Sequence, residues 1–415
     1  MSYCQGMKDK IYLDNAASSE PSKVVLKAIK PFLSGYFGNP SSLHEYGRKS
    51  RIAIESSRED IAKILNCNPR EIVFTSGGTE SINLAILGVA KSYQTKLQKP
   101  GHIIVSSIEH EAVLETVKAL KSLGWKIDYL NVNEHGFINP NDVKKLIRKD
   151  TALVSVMYAN NEVGTIQPIS ELGKIIFGIN KVRNQKNIPP IYFHTDACQA
   201  GGVLDLNVHN LKIDLLTLNG SKVNGPKGSG LLFIKTGTKI EPIIYGGGQE
   251  RGLRSGTENI LSIVGLAAAL KFSQANRNKS VQKLLELQKF LETNLTKHKL
   301  IKINGPKNLR QDLQENNFNL QKLPGTINFS VKGIEGEALM YYLDGQGFAV
   351  ATGSACTAGS EDPSHVLLAM GMKPDLAKST IRLSLSYDIT KQQLIKFVNV
   401  LFKTIDLIKN TKQEL

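Results

Sequence analysis

Short apolar runs rich in β-branched residues recur through the middle of the chain, and stretches with helical spacing separate them. The runs fall at 72–75, 103–106, 153–158, 191–194, 215–218 and 231–235. This alternation predicts an α/β fold in which helices cover both faces of a mostly parallel sheet. Past about residue 275 the texture changes. Polar stretches rich in Asn, Gln and Lys, at 274–280 and 304–322, bracket a helical segment, and a strand at 326–331, a loop of small residues and a last helix from Lys391 to about Lys409 follow. The pattern predicts a second, smaller α+β domain, joined by an N-terminal strand at 11–13. The expected organisation is a large domain over 24–275 and a small domain made of 1–23 and 276–415, with a glycine-bearing loop at about 352–364.

The length of 415 residues and the 41% apolar content give room for two cores. Cys4, Cys67, Cys198 and Cys356 are widely scattered, with no CxxC and no Cys/His cluster at ligand spacing. Neither a disulfide framework nor a metal site is expected. The first ten residues lack the apolar core of a signal peptide and no run reaches membrane-spanning length, so the expected location is the cytoplasm, away from membranes. The net charge of +15 comes from lysines spread along the chain, not from a dense block interleaved with aromatics. That spread predicts a solvated basic surface able to attract anionic ligands or an acidic partner, and no direct nucleic-acid binding.

Candidate chemistry gathers where strands are expected to end. Lys222 stands in the turn Asn219-Gly-Ser-Lys-Val-Asn-Gly-Pro-Lys-Gly228 after an apolar run. At a sheet's edge, partial desolvation lowers a lysine's pKa and frees its amine for imine chemistry. In Phe74-Thr-Ser-Gly-Gly-Thr-Glu-Ser81 a strand passes through a glycine turn into a helix, so the N–H groups of Gly78 and Thr79 and the Thr79 hydroxyl suit a phosphate. Asp196 closes a buried run in Tyr192-Phe-His-Thr-Asp-Ala-Cys-Gln199, where it could keep a pyridine nitrogen protonated while Gln199 meets the ring's phenolic oxygen. His110 follows a third run and could stack on a flat ring and transfer protons. Cys356 lies among small residues in Ala351-Thr-Gly-Ser-Ala-Cys-Thr-Ala-Gly-Ser360, which favours an accessible thiol. Each feature alone also fits a structural role: a capped helix, an aspartate cap, a structural histidine, a surface turn. Cys198 reads as buried packing.

The ordered motifs Tyr12-Leu-Asp-Asn-Ala-Ala17, Gly38-Asn-Pro-Ser-Ser-Leu-His44, Gly47-Arg48, Thr75-Ser-Gly-Gly-Thr-Glu-Ser81, Glu109-His110 and Asn160-Asn-Glu-Val-Gly164 run through the first half of the chain. They continue with Asp196 and Gln199, Gly225-Pro-Lys-Gly228, the glycine-rich run from Gly246 to Thr257, Gly353-Ser-Ala-Cys356, Ser364-His-Val-Leu367 and Ile381-Arg-Leu-Ser384. Taken together the chain resembles the pyridoxal-phosphate-dependent cysteine desulfurases of the nitrogenase and iron-sulfur-assembly type, a branch of the class V aminotransferases. The resemblance implies fold type I, the aspartate aminotransferase architecture, and a homodimer with active sites near the interface. It implies that Lys222 holds pyridoxal 5′-phosphate covalently, His110 stacks on the ring, Asp196 pairs with its nitrogen and Gln199 with its oxygen. Gly78, Thr79, Asn219, Ser221 and, from the neighbouring subunit, Thr257 would hold the phosphate. Asn161 and Arg382 would fix the carboxylate of L-cysteine, and the Cys356 thiolate would take its sulfur, leaving alanine. An iron-sulfur scaffold or another sulfur-acceptor protein would then receive it.

One departure stands out. The family usually has a serine two residues before a paired histidine and lysine, whereas this chain reads Asn219-Gly-Ser221-Lys222. Ser221 still offers a hydrogen bond, but not a cation. Weaker cofactor retention is the expectation. Other readings use parts of the same set: a selenocysteine lyase or another fold type I enzyme keeps Lys222 and Asp196 without needing Cys356, and a non-catalytic sulfur-assembly scaffold or a basic nucleic-acid-binding module needs neither.

Overall fold

Strand-forming runs in this chain are buried on both sides, which requires a sheet sandwiched between helices. The computed structural model describes residues 10–307, 320–353 and 362–413. Its strands are β1 (Ile11–Tyr12), β2 (Ile72–Thr75), β3 (His102–Ser106), β4 (Lys126–Leu130), β5 (Thr151–Ser155), β6 (Tyr192–Asp196), β7 (Leu215–Asn219), β8 (Gly230–Ile234), β9 (Ile301–Asn304), β10 (Thr326–Val331), β11 (Phe348–Ala349) and β12 (Thr380–Ser384). Seven of them form one sheet in the order β2-β8-β7-β6-β5-β3-β4. The pairings from β7 through β6, β5 and β3 to β4 are parallel, and those of β8 with β7 and β2 are antiparallel. The mostly parallel α/β sheet expected from the sequence is present.

Alternate residues of each strand feed two cores. Ile104, Val154, Phe193, Leu216 and Phe233 face the helices Glu45–Leu65, Ile169–Gln185 and Ile260–Ala275. Ile103, Val105, Leu153, Leu215 and Leu232 face Gly78–Leu97 and Glu111–Ser122. A third cluster joins Ile11 and Leu13 to Leu284, Leu291, Phe329, Leu383 and Phe397. It is built on the antiparallel order β12-β10-β9 and the helices Arg277–Leu295 and Lys391–Gln413. The chain's first described strand therefore packs with its last third: β1 pairs in parallel with β11, and Leu13 accepts a backbone bond from Ser384.

Three differences from expectation have simple causes. Strand β4, Lys-Ile-Asp-Tyr-Leu, is the outermost strand and carries charges, so its apolar signal is broken. The expected run at 153–158 ends as a strand at Ser155, because the backbone turns out of the sheet before Asn160. Lys222 follows an interior strand and not a lateral edge strand, so its setting is the C-terminal end of the sheet. That end is where parallel β3, β5, β6 and β7 all deliver their following loops.

Candidate active site

Asp196 is the last residue of β6, with 6% of its surface exposed. Its Oδ1 accepts the N–H of Cys198 at 2.9 Å, a turn that fixes the carboxylate within its own loop. Two residues earlier on the same face, His194 is fully buried, with Nδ1 2.8 Å from Ser155 Oγ and Nε2 3.0 Å from Thr217 Oγ1. Burial lowers the His194 pKa to about 4 against the pull of Asp196. The buried Cys198 thiol is pushed well above its ordinary value by burial, with Asp196 adding to the shift and Lys222 opposing it. One side chain thus feels both the acid and the amine.

Lys222 ends the short turn Gly220–Lys222 after β7. Asn219 stabilises that turn by accepting the N–H and the hydroxyl of Ser221, both at 3.1 Å. The Lys222 amine donates to the carbonyl of Ala17, and Gln199 Nε2 donates to the carbonyl of Ala16 at 3.0 Å. Lys222 and Gln199 line one cleft with Asn15, Ala16 and Ser384.

The helix Gly78–Leu97 opens after Gly77, whose extended backbone leaves the strand end. Glu80 reaches back to accept the N–H of Ser76 at 2.9 Å and also binds Arg254 at 2.9 Å. The first-turn N–H groups of Gly78 and Thr79 have no carbonyl one turn earlier, which makes them anion donors. A Cβ on Gly78 would lie 2.9 Å from Cys198 Sγ and 3.6 Å from Asn219 Nδ2. Glycine is therefore required where this helix start packs on the loops of Asp196 and Asn219.

His110 caps the helix Glu111–Ser122, its Nδ1 accepting the N–H of Ala112 at 3.0 Å. That bond places the proton of the neutral ring on Nε2. Beside it, Glu109 is buried with Oε1 accepting from Ser106 Oγ at 2.6 Å and Met157 N at 2.7 Å, while Oε2 has no partner among the described residues. Burial raises its pKa to about 8.

Arg382 lies in β12 and is 1% exposed. Its Nη2 contacts Asp14 Oδ1 at 2.6 Å and its Nη1 the carbonyl of Asn161 at 3.3 Å, and its buried Nε has no partner among the described residues. Glu162, next to Asn161, is also buried; burial raises its pKa, opposed by a 2.6 Å bond from Ser364 Oγ and by the charge of Arg382.

The class-V aminotransferase model matches residues 11–397. The chain belongs to the class-V aminotransferase family. A cysteine desulfurase IscS of Dictyoglomus turgidum is 44% identical over 404 residues, covering 97% of this chain and 96% of that protein. The solved structure of a NifS-like protein matches with a TM-score of 0.83 at 35% identity, over 96% of this chain and 99% of that one. The structure of SspA in complex with cysteine matches with a TM-score of 0.73 at 36% identity, over 90% and 98%.

Within this class-V chain the fold brings Gly78, Asp196, Gln199, Asn219, Ser221 and Lys222 to neighbouring loops, and sets Asn161 on Arg382. Thr257 is exposed and lines a different cleft, with Ser76, Gly230 and Arg254. Cys356 lies outside the described residues. Sequence reasoning gave no role to Asp14, His194, Glu109 or Glu162. For Asp14, Glu109 and Glu162 a signal existed, since all three stand inside the quoted motifs, but what each side chain meets shows only in the fold. His194 became informative only through burial.

Proposed function

We propose that this chain is a pyridoxal-phosphate-dependent cysteine desulfurase that converts L-cysteine to L-alanine and keeps the sulfur as a persulfide on Cys356. The observation that carries the reading is the convergence of an anion-binding helix start, a buried carboxylate and a lysine amine at Gly78, Asp196 and Lys222. This donor set fits the cofactor. Gly78 and Thr79 offer N–H groups to its phosphate, with Asn219 and Ser221 alongside; Asp196 suits its ring nitrogen, Gln199 its ring oxygen, His110 its face, and Lys222 its aldehyde carbon. When bound, pyridoxal 5′-phosphate supplies a carbon that condenses with amines and a ring that withdraws electrons from the attached amino acid.

The chain's own groups do the rest. Asp196 keeps a proton on the ring nitrogen, Arg382 and Asn161 hold the substrate carboxylate, and the Lys222 amine, once displaced by the substrate amine, moves the α-proton. The Cys356 thiolate attacks the substrate sulfur: a sulfur–sulfur bond forms, the carbon–sulfur bond breaks, and its electron pair stays with the carbon fragment that leaves as alanine. His110, whose Nδ1 is engaged by the Ala112 N–H, would act toward the cofactor through its other ring nitrogen, Nε2.

The same reading takes the large domain as 24–275 and the small domain as 1–23 with 276–415, in a cytoplasmic homodimer. Leu26, Leu33, Phe37, Leu43, Tyr46 and Ile52 are large apolar side chains exposed along one stretch of the chain, which supports a second copy covering them. Thr257 would then serve the neighbouring subunit's phosphate. Iron-sulfur cluster assembly and other sulfur-acceptor proteins are the proposed destinations of the sulfur. The test is to incubate the protein with L-cysteine and a reductant and to measure alanine and sulfide. Equimolar formation that requires the cofactor supports the reading, and alanine without sulfide contradicts it.

A further inference from the structure

The N-terminal segment from Asp14 to Ser19 runs through the site, although none of the proposed chemistry uses its side chains. Its carbonyls at Ala16 and Ala17 receive Gln199 and Lys222, and its one carboxylate, Asp14, meets Arg382. We propose that Asp14 is a positioning residue that holds the Arg382 guanidinium in the orientation in which it receives the substrate's carboxylate. The inference rests on the proposed role of Arg382 and deepens it.

Three observations carry the step. First, the guanidinium is 1% exposed, so water cannot orient it. Second, its two protein acceptors occupy different nitrogens, Asp14 Oδ1 on Nη2 at 2.6 Å and the Asn161 carbonyl on Nη1 at 3.3 Å, which together fix the plane of the group. Third, the buried Nε has no partner among the described residues. A buried donor left unpaired is costly, and a carboxylate that binds side-on through Nε and a neighbouring nitrogen satisfies it. Protein contacts thus set the plane and leave the Nε edge to the ligand.

Asp14 could act instead as a rival anion that weakens substrate binding. The two roles predict opposite signs. The segment itself does not depend on the carboxylate, since Ala16 N donates to Ser384 Oγ at 2.8 Å, Asn15 Nδ2 to the Ser384 carbonyl at 2.9 Å and Ser19 N to the Ser221 carbonyl at 2.8 Å. Removing the Asp14 side chain therefore leaves the backbone in place.

The experiment compares the cofactor-loaded full chain with Asp14→Ala, Asp14→Asn and Arg382→Gln, measuring KM for L-cysteine, kcat, the dissociation constant of L-alanine by absorbance titration, and the cofactor spectrum. Loss of one charge-assisted contact predicts that Asp14→Ala raises KM and the L-alanine constant about tenfold, with kcat changed by less than about threefold. Asp14→Asn keeps an oxygen acceptor and recovers most of the loss. If Arg382→Gln raises KM while Asp14→Ala leaves it unchanged or lowers it, positioning by Asp14 is overturned and the role of Arg382 stands. If Asp14→Ala lowers kcat or cofactor content with KM unchanged, its role is structural and the proposal fails. If Arg382→Gln itself leaves KM unchanged, the carboxylate assignment falls, and the inference with it.

Discussion

The two walls of the site are built differently. On the sheet side three proposed cofactor residues are fixed by a neighbour two positions on: Asp196 by Cys198, Asn219 by Ser221, His110 by Ala112. On the opposite side the contacts join distant parts of the chain: Arg382 reaches Asp14 and Asn161, and the carbonyls of Ala16 and Ala17 receive Gln199 and Lys222 from the sheet side. Local turns preform the cofactor wall as soon as the strands pair. The substrate wall exists only after the first and last parts of the chain have packed together. Cofactor binding should then tolerate changes in the small-domain cluster that substrate binding does not.

The largest expected effect breaks the sheet-side wall. Lys222→Ala should lower the rate of alanine formation from L-cysteine by roughly 10³-fold or more, because the amine proposed to hold the cofactor is removed. Its melting temperature should stay near that of the parent, since the side chain is only half-buried. On the other wall, Arg382→Gln should raise KM roughly 10- to 100-fold through lost charge-assisted bonds of about 1.5–3 kcal/mol, while the bound-cofactor spectrum is preserved. An altered spectrum would join the two walls and end the comparison.

Glu109 gives a pH test. Its pKa is raised by burial from 4.5 to about 8, so between those values the native state keeps a proton that the unfolded state has released. Stability from this group is fully present below about pH 4.5, falls as pH rises, and levels off above about 8. Glu109→Gln mimics the protonated form, so its melting temperature should exceed that of the parent at pH 9 by about 2–4 °C for each kcal/mol involved, with the two converging at pH 5. A constant difference across that range would refute the assignment. The smallest effect concerns the departure at Ser221. Ser221→His restores a cation near the phosphate and should tighten cofactor binding by no more than about fivefold, read by titration of apoprotein; looser binding would count against the idea.

What could be read from the sequence follows the same division. The strands of the parallel sheet, the glycine turn into the helix Gly78–Leu97, and the positions of Asp196 and Lys222 at strand ends rest on local patterns, and a linear reading suffices for them. Strand β4 escaped because charges interrupt an outermost strand, and β9 because Ile301 and Ile303 sit in a lysine-rich stretch. His194 carries no signature beyond its residue type, because its meaning comes from complete burial beside Asp196, and Glu109, although visible in a motif, gains its meaning from burial beside His110. Asp14 was visible in a motif, yet its use depends on a partner 368 positions away.

The central claim is that a lysine-anchored cofactor lets a cysteine thiol take sulfur from L-cysteine. The most direct measurement is the intact mass of the cofactor-loaded protein after brief exposure to L-cysteine, followed by peptide mapping. The account predicts a gain of a single sulfur atom, located on Cys356 and absent from Lys222→Ala. Sulfur carried by Cys67 or Cys198 instead, or alanine released at the full rate by Cys356→Ser, would contradict it.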